Sequence, residues 1–97
     1  MAEIVLDEAL RKKYFRDGIL TTYPKKAEER EAILKYMVSF LDPTVSYSEI
    51  KLNFVLKKLC EDFPLIRREL VDHGYLNRDS FGKAYEVNPD KAARDAE

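Results

Sequence analysis

Apolar residues near the start of the chain recur at helical spacing. Leu6, Leu10 and Tyr14 follow one another every four positions, so they form one stripe of an amphipathic helix. This pattern predicts a helix over about residues 5–15, and Gly18 marks its end because glycine disfavours a helix interior. The first predicted element is therefore an N-terminal amphipathic helix.

An extended segment and a second helix follow. The stretch ILTTYP, residues 19–24, favours strand because it is rich in β-branched and aromatic residues. A second helix is predicted from about Lys26 to Leu41, and the Asp42–Pro43 pair ends it. Its apolar stripe consists of Ala27, Ile33, Leu34, Met37, Val38 and Leu41.

Two further helices carry capping signals. Ser46 or Ser48 caps a third helix, which is predicted to continue to about residue 61. Asp62 caps a fourth helix, and Gly74 is the residue expected just after its end. The connection between these two helices is therefore short.

Two strand candidates come after the fourth helix. The stretches YLNR, residues 75–78, and KAYEV, residues 83–87, are joined by a turn around Ser80, Phe81 and Gly82. They predict a β-hairpin.

A run of three helices followed by a hairpin predicts an α+β fold of the winged helix-turn-helix type, with an extra N-terminal helix in front of the three-helix core. Residues 1–18 would pack on or extend the core, residues 19–88 would form the winged-helix-like domain, and residues 89–97 would be a polar tail. The fourth helix would be the recognition helix and the hairpin would be the wing.

Composition narrows the class of protein. Seventeen Lys and Arg residues against 18 Asp and Glu residues leave a formal charge of −1, so the chain lacks the overall basic excess typical of a nucleic-acid binder. The single cysteine, Cys60, cannot form an internal disulfide, which favours a reducing cytoplasm. The acidic start of the chain predicts neither a signal peptide nor a membrane span.

Catalytic and metal-binding patterns find little support. His73 is the only histidine and is expected to satisfy carbonyl groups at the end of the fourth helix. Together with Cys60 it provides too few ligands for a structural zinc site. Asn53 is expected to bond a nearby backbone group. We therefore expect no enzymatic activity, no cofactor and no metal.

Parts of the chain resemble a bacterial family catalogued as domain of unknown function 2087. The resemblance lies in the stretches YSEIKLNFVL and IRRELVDHGYLNRDSFGKAY and covers about residues 20–85. The matching positions are Glu49, Leu52, Asn53, Leu56, Arg67, Arg68, Leu70, Val71, Asp72, Gly74, Leu76, Arg78, Gly82 and Tyr85. Members occur alone or fused to helix-turn-helix regulators, so the resemblance implies a transcription-related context. It implies no catalytic residues.

Four cations are candidates for contacting nucleic acid. Arg67 and Arg68 would contact DNA from the fourth helix, while Arg78 and Lys83 on the wing would touch phosphates. Alternatively, the arginines pair with neighbouring acids such as Asp72 and cover apolar surface with their stems. Five acids share the stretch with the four cations: Asp62, Glu69, Asp72, Asp79 and Glu86. These charges favour the second interpretation over independent DNA binding.

A second candidate surface is apolar. Ile50 and Phe54 lie opposite the core stripe of the third helix and are expected to need a cover. The N-terminal stripe of Leu6, Leu10 and Tyr14 is the first candidate for this cover. A second copy of the chain and an unknown partner are the others, and simple exposure to solvent is the remaining interpretation.

The leading hypothesis is a cytoplasmic, transcription-regulator-like module that binds DNA weakly or through an oligomer. The alternative is a protein–protein interaction or dimerisation domain that has the winged-helix shape and no DNA role. Neither hypothesis involves a membrane.

Overall fold

A computed structural model describes residues 6–81 and 83–88. The predicted polar tail, residues 89–97, and Gly82 of the predicted turn lie outside the described residues, as do the first five residues. Within the described ranges the chain is a mixed α+β protein, so the α+β part of the prediction is confirmed.

Four helices and five short strands make up the regular structure of the described chain. In chain order they are α1 (Glu8–Tyr14), β1 (Phe15–Arg16), β2 (Ile19–Leu20), α2 (Ala27–Val38), β3 (Tyr47–Ser48), α3 (Glu49–Leu56), α4 (Phe63–Asp72), β4 (Leu76–Arg78) and β5 (Ala84–Val87). All four predicted helices and both strands of the predicted hairpin are present. The third helix ends at Leu56, earlier than the predicted residue 61.

The helix ends follow from local chemistry. Ser48, one of the two predicted caps, accepts a hydrogen bond from the Lys51 backbone N–H at 3.2 Å, and Asp62 accepts from the Leu65 N–H at 3.2 Å. Gly74 follows α4 with φ of +84°, a conformation that only glycine adopts without strain.

The connection after α1 is a hairpin that the sequence analysis missed. Strands β1 and β2 pair antiparallel, and the two turn residues Asp17 and Gly18 have φ values of +53° and +79°. Two positive φ values are what a two-residue hairpin turn requires, and Asp-Gly is a favoured sequence for it. Gly18 therefore reverses the chain as well as ending the first helix.

A three-stranded antiparallel sheet covers one side of the helices. Its strand order is β3-β5-β4, with Tyr47 opposite Tyr85 and Leu76 opposite Val87. The two-residue strand β3 was not predicted, because two residues are too few to show an alternating pattern. It connects the start of α3 to the β4–β5 hairpin, and a groove lies at this junction.

One apolar core joins all these elements. Tyr14 of α1 and Leu6, just before this helix, belong to the same buried cluster as Leu34 of α2, Leu52 of α3 and Leu70 of α4. Helical spacing places Leu52 and Leu56 on one face of α3 and Ile66 and Leu70 on one face of α4, and all four are buried in this cluster. None of the helices in the described ranges is long and apolar enough to cross a membrane.

Candidate functional site

A groove of about 460 Å³ lies between α4, the β4–β5 hairpin and the start of α3. Three of the four candidate cations line it, Arg67 and Arg68 from α4 and Arg78 from β4. Lys83 is exposed at the far end of the hairpin and does not line the groove. The remaining lining residues are Glu49, Asp62, Pro64, Leu65, Val71, Asp72 and Tyr85.

Arg67 is held in place by side chains around it. Its guanidinium donates a hydrogen bond to the Asn53 side-chain oxygen, and its Nε lies 4.0 Å from a carboxylate oxygen of Glu49. That same oxygen accepts a hydrogen bond from the Tyr85 hydroxyl at 3.1 Å. Arg67 thus links α3, α4 and β5. The expectation that Asn53 bonds a backbone group was wrong, because its partner is this side chain from the next helix.

Two arginines of the groove affect the pKa of the Tyr85 hydroxyl. Burial raises the pKa of the Tyr85 hydroxyl, and the hydrogen bond to Glu49 raises it further. The guanidinium groups of Arg67 and Arg78 act in the opposite sense and lower this pKa. Arg67 and Arg78 therefore both lie near this hydroxyl in the groove, although they belong to different elements.

Arg68 and Arg78 keep their donors available. Both are exposed, and within residues 6–81 and 83–88 neither forms an ion pair or a hydrogen bond. The predicted pairing of Arg68 with Asp72 across one helical turn does not form, and Asp72 is likewise exposed. Two guanidinium groups are therefore free to meet a ligand at the rim of the groove.

Glu69, one of the five acids that share the stretch with the candidate cations, does not line the groove. Its carboxylate accepts a hydrogen bond from the Tyr23 hydroxyl at 2.9 Å and lies 3.5 Å from Nε2 of His73. The Glu69 carboxylate is therefore engaged by Tyr23 and His73, which do not line the groove. The acidic character of the outer face of α4 is therefore lower than the residue count suggests.

His73 lies between two carboxylates in a polar cluster that the sequence analysis did not detect. Its Nδ1 is 2.7 Å from Glu31 of α2, and its Nε2 faces Glu69 of its own helix. Tyr75 donates a hydrogen bond to Glu31 at 2.7 Å, and burial raises the pKa of Tyr23 at the other end of the cluster. The expectation that His73 satisfies helix carbonyls was wrong. The cluster joins α2 to α4 and faces away from the groove.

The apolar surface on α3 is not covered by the N-terminal stripe. Ile50 is 82% exposed and Phe54 is 54% exposed, while Leu6 and Tyr14 are buried in the core. Leu10 is half-buried against the same core. The first candidate for the cover was therefore wrong, because the N-terminal apolar stripe packs on the core instead.

Other reactive groups are scattered or buried. Burial raises the pKa of the Cys60 thiol to about 12, which makes it a poor nucleophile and a poor metal ligand. In the part of the chain that the structure describes, no group of three or more His, Cys, Asp or Glu side chains is arranged to hold a metal ion.

Comparison with known proteins gives one family. The family model described as "Uncharacterized protein conserved in bacteria (DUF2087)" matches residues 19–87, a range that contains every residue lining the groove. No curated protein and no solved structure matches the chain.

Proposed function

The chain belongs to the bacterial family DUF2087, and we propose that it is a non-enzymatic regulatory module that binds the backbone of double-stranded DNA. Arg68 and Arg78 make this contact, with Lys83 adding a charge from the hairpin. The observation that carries the proposal is the pair of exposed guanidinium groups, without protein partners among the described residues, on two walls of one groove. Guanidinium groups are well suited to phosphate because they donate two parallel hydrogen bonds.

The arrangement of elements supports a winged-helix interpretation of the fold. Helices α2, α3 and α4 precede the β4–β5 hairpin, and β3, between α2 and α3, pairs with the hairpin through Tyr47 and Tyr85. In this interpretation α4 is the recognition helix, the hairpin is the wing and α1 is an addition. A regulatory role of this kind fits a cytoplasmic protein that uses no cofactor.

The mixture of charges determines what kind of DNA binding is proposed. Glu49 and Asp62 line the same groove as the arginines, but Glu49 is engaged by Tyr85 and Asp62 caps α4. Asp72 is exposed and its carboxylate forms no hydrogen bond or ion pair within residues 6–81 and 83–88. A small number of phosphate contacts beside one free carboxylate predicts weak, salt-dependent, largely sequence-independent binding.

Fluorescence anisotropy of a labelled mixed-sequence duplex tests this proposal. We expect binding that weakens steeply between low and physiological salt, and an Arg68→Glu or Arg78→Glu variant that binds about tenfold or more weakly. Arg16→Glu is the matched control, because Arg16 is an exposed arginine on β1 that does not line the groove. Unchanged anisotropy at low salt, or an equal loss in the Arg16 variant, refutes the proposal.

A second candidate function is that of a protein–protein interaction domain. The exposure of Ile50 and Phe54 on α3 favours it, because monomeric proteins seldom leave two large neighbouring apolar side chains uncovered without a use for them. This surface does not line the groove, so the two functions are compatible in one molecule.

A further inference from the structure

We propose that the exposed side of α3 binds an acidic amphipathic helix of another protein. The surface, called the α3 ridge below, consists of Ile50 and Phe54 with Lys51, Lys57 and Lys58 around them. This inference deepens the second candidate function by giving the partner's chemistry, and it does not depend on DNA binding.

The apolar part of the α3 ridge has the spacing of a helix-packing surface. Ile50 and Phe54 lie four residues apart, so one side chain stands above the other on the same face of α3. They are 82% and 54% exposed, whereas Leu52 and Leu56 of the same helix are fully buried. The helix is therefore apolar on two sides, and only one of them is covered by the core.

The polar part of the ridge is positive. The Lys58 ammonium lies 4.1 Å from the centre of the Phe54 ring, and the Lys57 ammonium lies 5.4 Å from it. Lys51 is exposed next to Ile50. The apolar side chains of the ridge are thus bordered by ammonium groups, so that a ligand covering Phe54 also meets Lys57 and Lys58.

The acids nearby do not cancel this charge. Glu49 accepts a hydrogen bond from Tyr85 and lies 4.0 Å from Arg67, so its carboxylate is engaged on the groove side. Glu61 is the other acid between the start of α3 and the cap of α4. The three lysines of the ridge therefore outnumber Glu61, and this positive charge favours a negatively charged partner.

A second copy of the chain fits the ridge poorly. In a two-fold dimer, α3 would pack against the same helix of the copy, antiparallel or parallel according to the direction of the axis. An antiparallel pair centred on Phe54 places Lys51 opposite the Lys57 of the copy, a parallel pair places each lysine next to its own equivalent, and like charges placed opposite one another repel. A partner helix with leucine or phenylalanine on one face and glutamate or aspartate beside it meets both requirements of the ridge at once.

The probe is a fluorescein-labelled peptide of about four helical turns, with leucines at helical spacing on one face and glutamates on the others. We expect the full chain to bind it with a Kd on the order of 10–100 µM. A peptide of the same composition, with its leucines scattered around the helix, and a peptide with lysines in place of the glutamates serve as ligand controls. Both are expected to bind at least about tenfold more weakly.

Variants locate the binding surface. Phe54→Ser and Ile50→Ser are expected to weaken peptide binding at least about tenfold, and Lys58→Glu is expected to weaken it and reduce its salt dependence. Phe81→Ser is the matched control, because Phe81 is as exposed as Ile50 but lies on the hairpin loop. All four positions are exposed, so loss of binding through unfolding is not expected, and circular dichroism checks this.

Several results overturn the inference. One is that the scattered-leucine or lysine peptide binds as tightly as the acidic amphipathic peptide. Another is that the Phe54→Ser variant binds the acidic peptide as tightly as the unchanged protein. The third is that the acidic peptide does not bind at all. If sedimentation shows a dimer and the Phe54→Ser variant is a monomer, the ridge is an interaction surface whose partner is a second copy of the chain and not an acidic helix. Flotation with anionic vesicles that depends on Phe54 would replace it with a membrane surface. Duplex anisotropy of the same variants is expected to be unchanged, which separates this test from that of DNA binding.

Discussion

Arg67 and Arg68 are adjacent in the sequence, and the structure predicts opposite consequences for replacing each with methionine. Arg67→Met removes a guanidinium that donates to Asn53 and leaves that half-buried amide oxygen without its partner. Arg68→Met removes a guanidinium that has no ion-pair or hydrogen-bond partner within residues 6–81 and 83–88. Methionine keeps the unbranched stem in both cases, so the comparison isolates the charged group.

The contacts set the size of the effect on stability. A hydrogen bond to a charged group contributes about 1.5–3 kcal/mol, and an ion pair as exposed as that with Glu49 adds less than about 1 kcal/mol. The side chain of Glu49 is 50% exposed and 4.0 Å away, so its share is small. We expect Arg67→Met to lower the free energy of unfolding by about 2 kcal/mol and Arg68→Met to change it by less than about 0.5 kcal/mol.

Urea denaturation followed by circular dichroism measures both values, and a double-mutant cycle with Asn53→Ala assigns the loss. The Arg67–Asn53 coupling energy is expected to be about 1–2 kcal/mol, because the two side chains contact each other directly. Duplex anisotropy of the same proteins is expected to show the reverse order, with Arg68→Met the weaker binder. A stable Arg67→Met, a coupling energy near zero, or stronger DNA binding by Arg68→Met than by Arg67→Met contradicts the assigned roles.

Three further predictions concern the core and the cluster between α2 and α4. Leu70→Ala should destabilise the protein by about 2–5 kcal/mol in urea denaturation, because Leu70 is fully buried; a neutral result would falsify the assigned core face of α4. Cys60, whose pKa is raised to about 12, should react with a thiol reagent at pH 8 only after denaturation. In the unfolded chain the thiol has its ordinary pKa of 9.0, so the stability contributed by Cys60 is complete below pH 9 and declines as the pH rises towards 12. Urea denaturation at a series of alkaline pH values, compared with the Cys60→Ala variant, measures this decline. His73→Gln should lower the free energy of unfolding by about 1–2 kcal/mol, because Glu31 and Glu69 lose the imidazole that lies between them. An unchanged midpoint of thermal unfolding would argue against a structural role of the cluster.

Local interactions were readable from the sequence because their partners are close along the chain. The Asp62 cap bonds a residue three positions away, and Gly74 follows α4 because its own backbone needs a positive φ. The helical spacing of Ile66 and Leu70 likewise placed both on the core side, where they are buried. Such features depend on neighbours within about one helical turn, so they survive whatever the rest of the fold does.

Interactions between distant segments decided the candidate sites. The side chain of Asn53 bonds that of Arg67, 14 positions away, and Tyr75 bonds Glu31, 44 positions away. The hydrophobic periodicity of the chain predicts neither pair. Glu69 illustrates the consequence, because it is adjacent to Arg68 in the sequence but its carboxylate accepts a hydrogen bond from Tyr23, 46 positions earlier. The sequence by itself determined the four helices, the caps of α3 and α4, the β4–β5 hairpin and the α+β class, since these follow from local propensity and spacing. Only the tertiary structure decided which charges stay available to a ligand, because each depends on whether a polar partner from another element reaches it first.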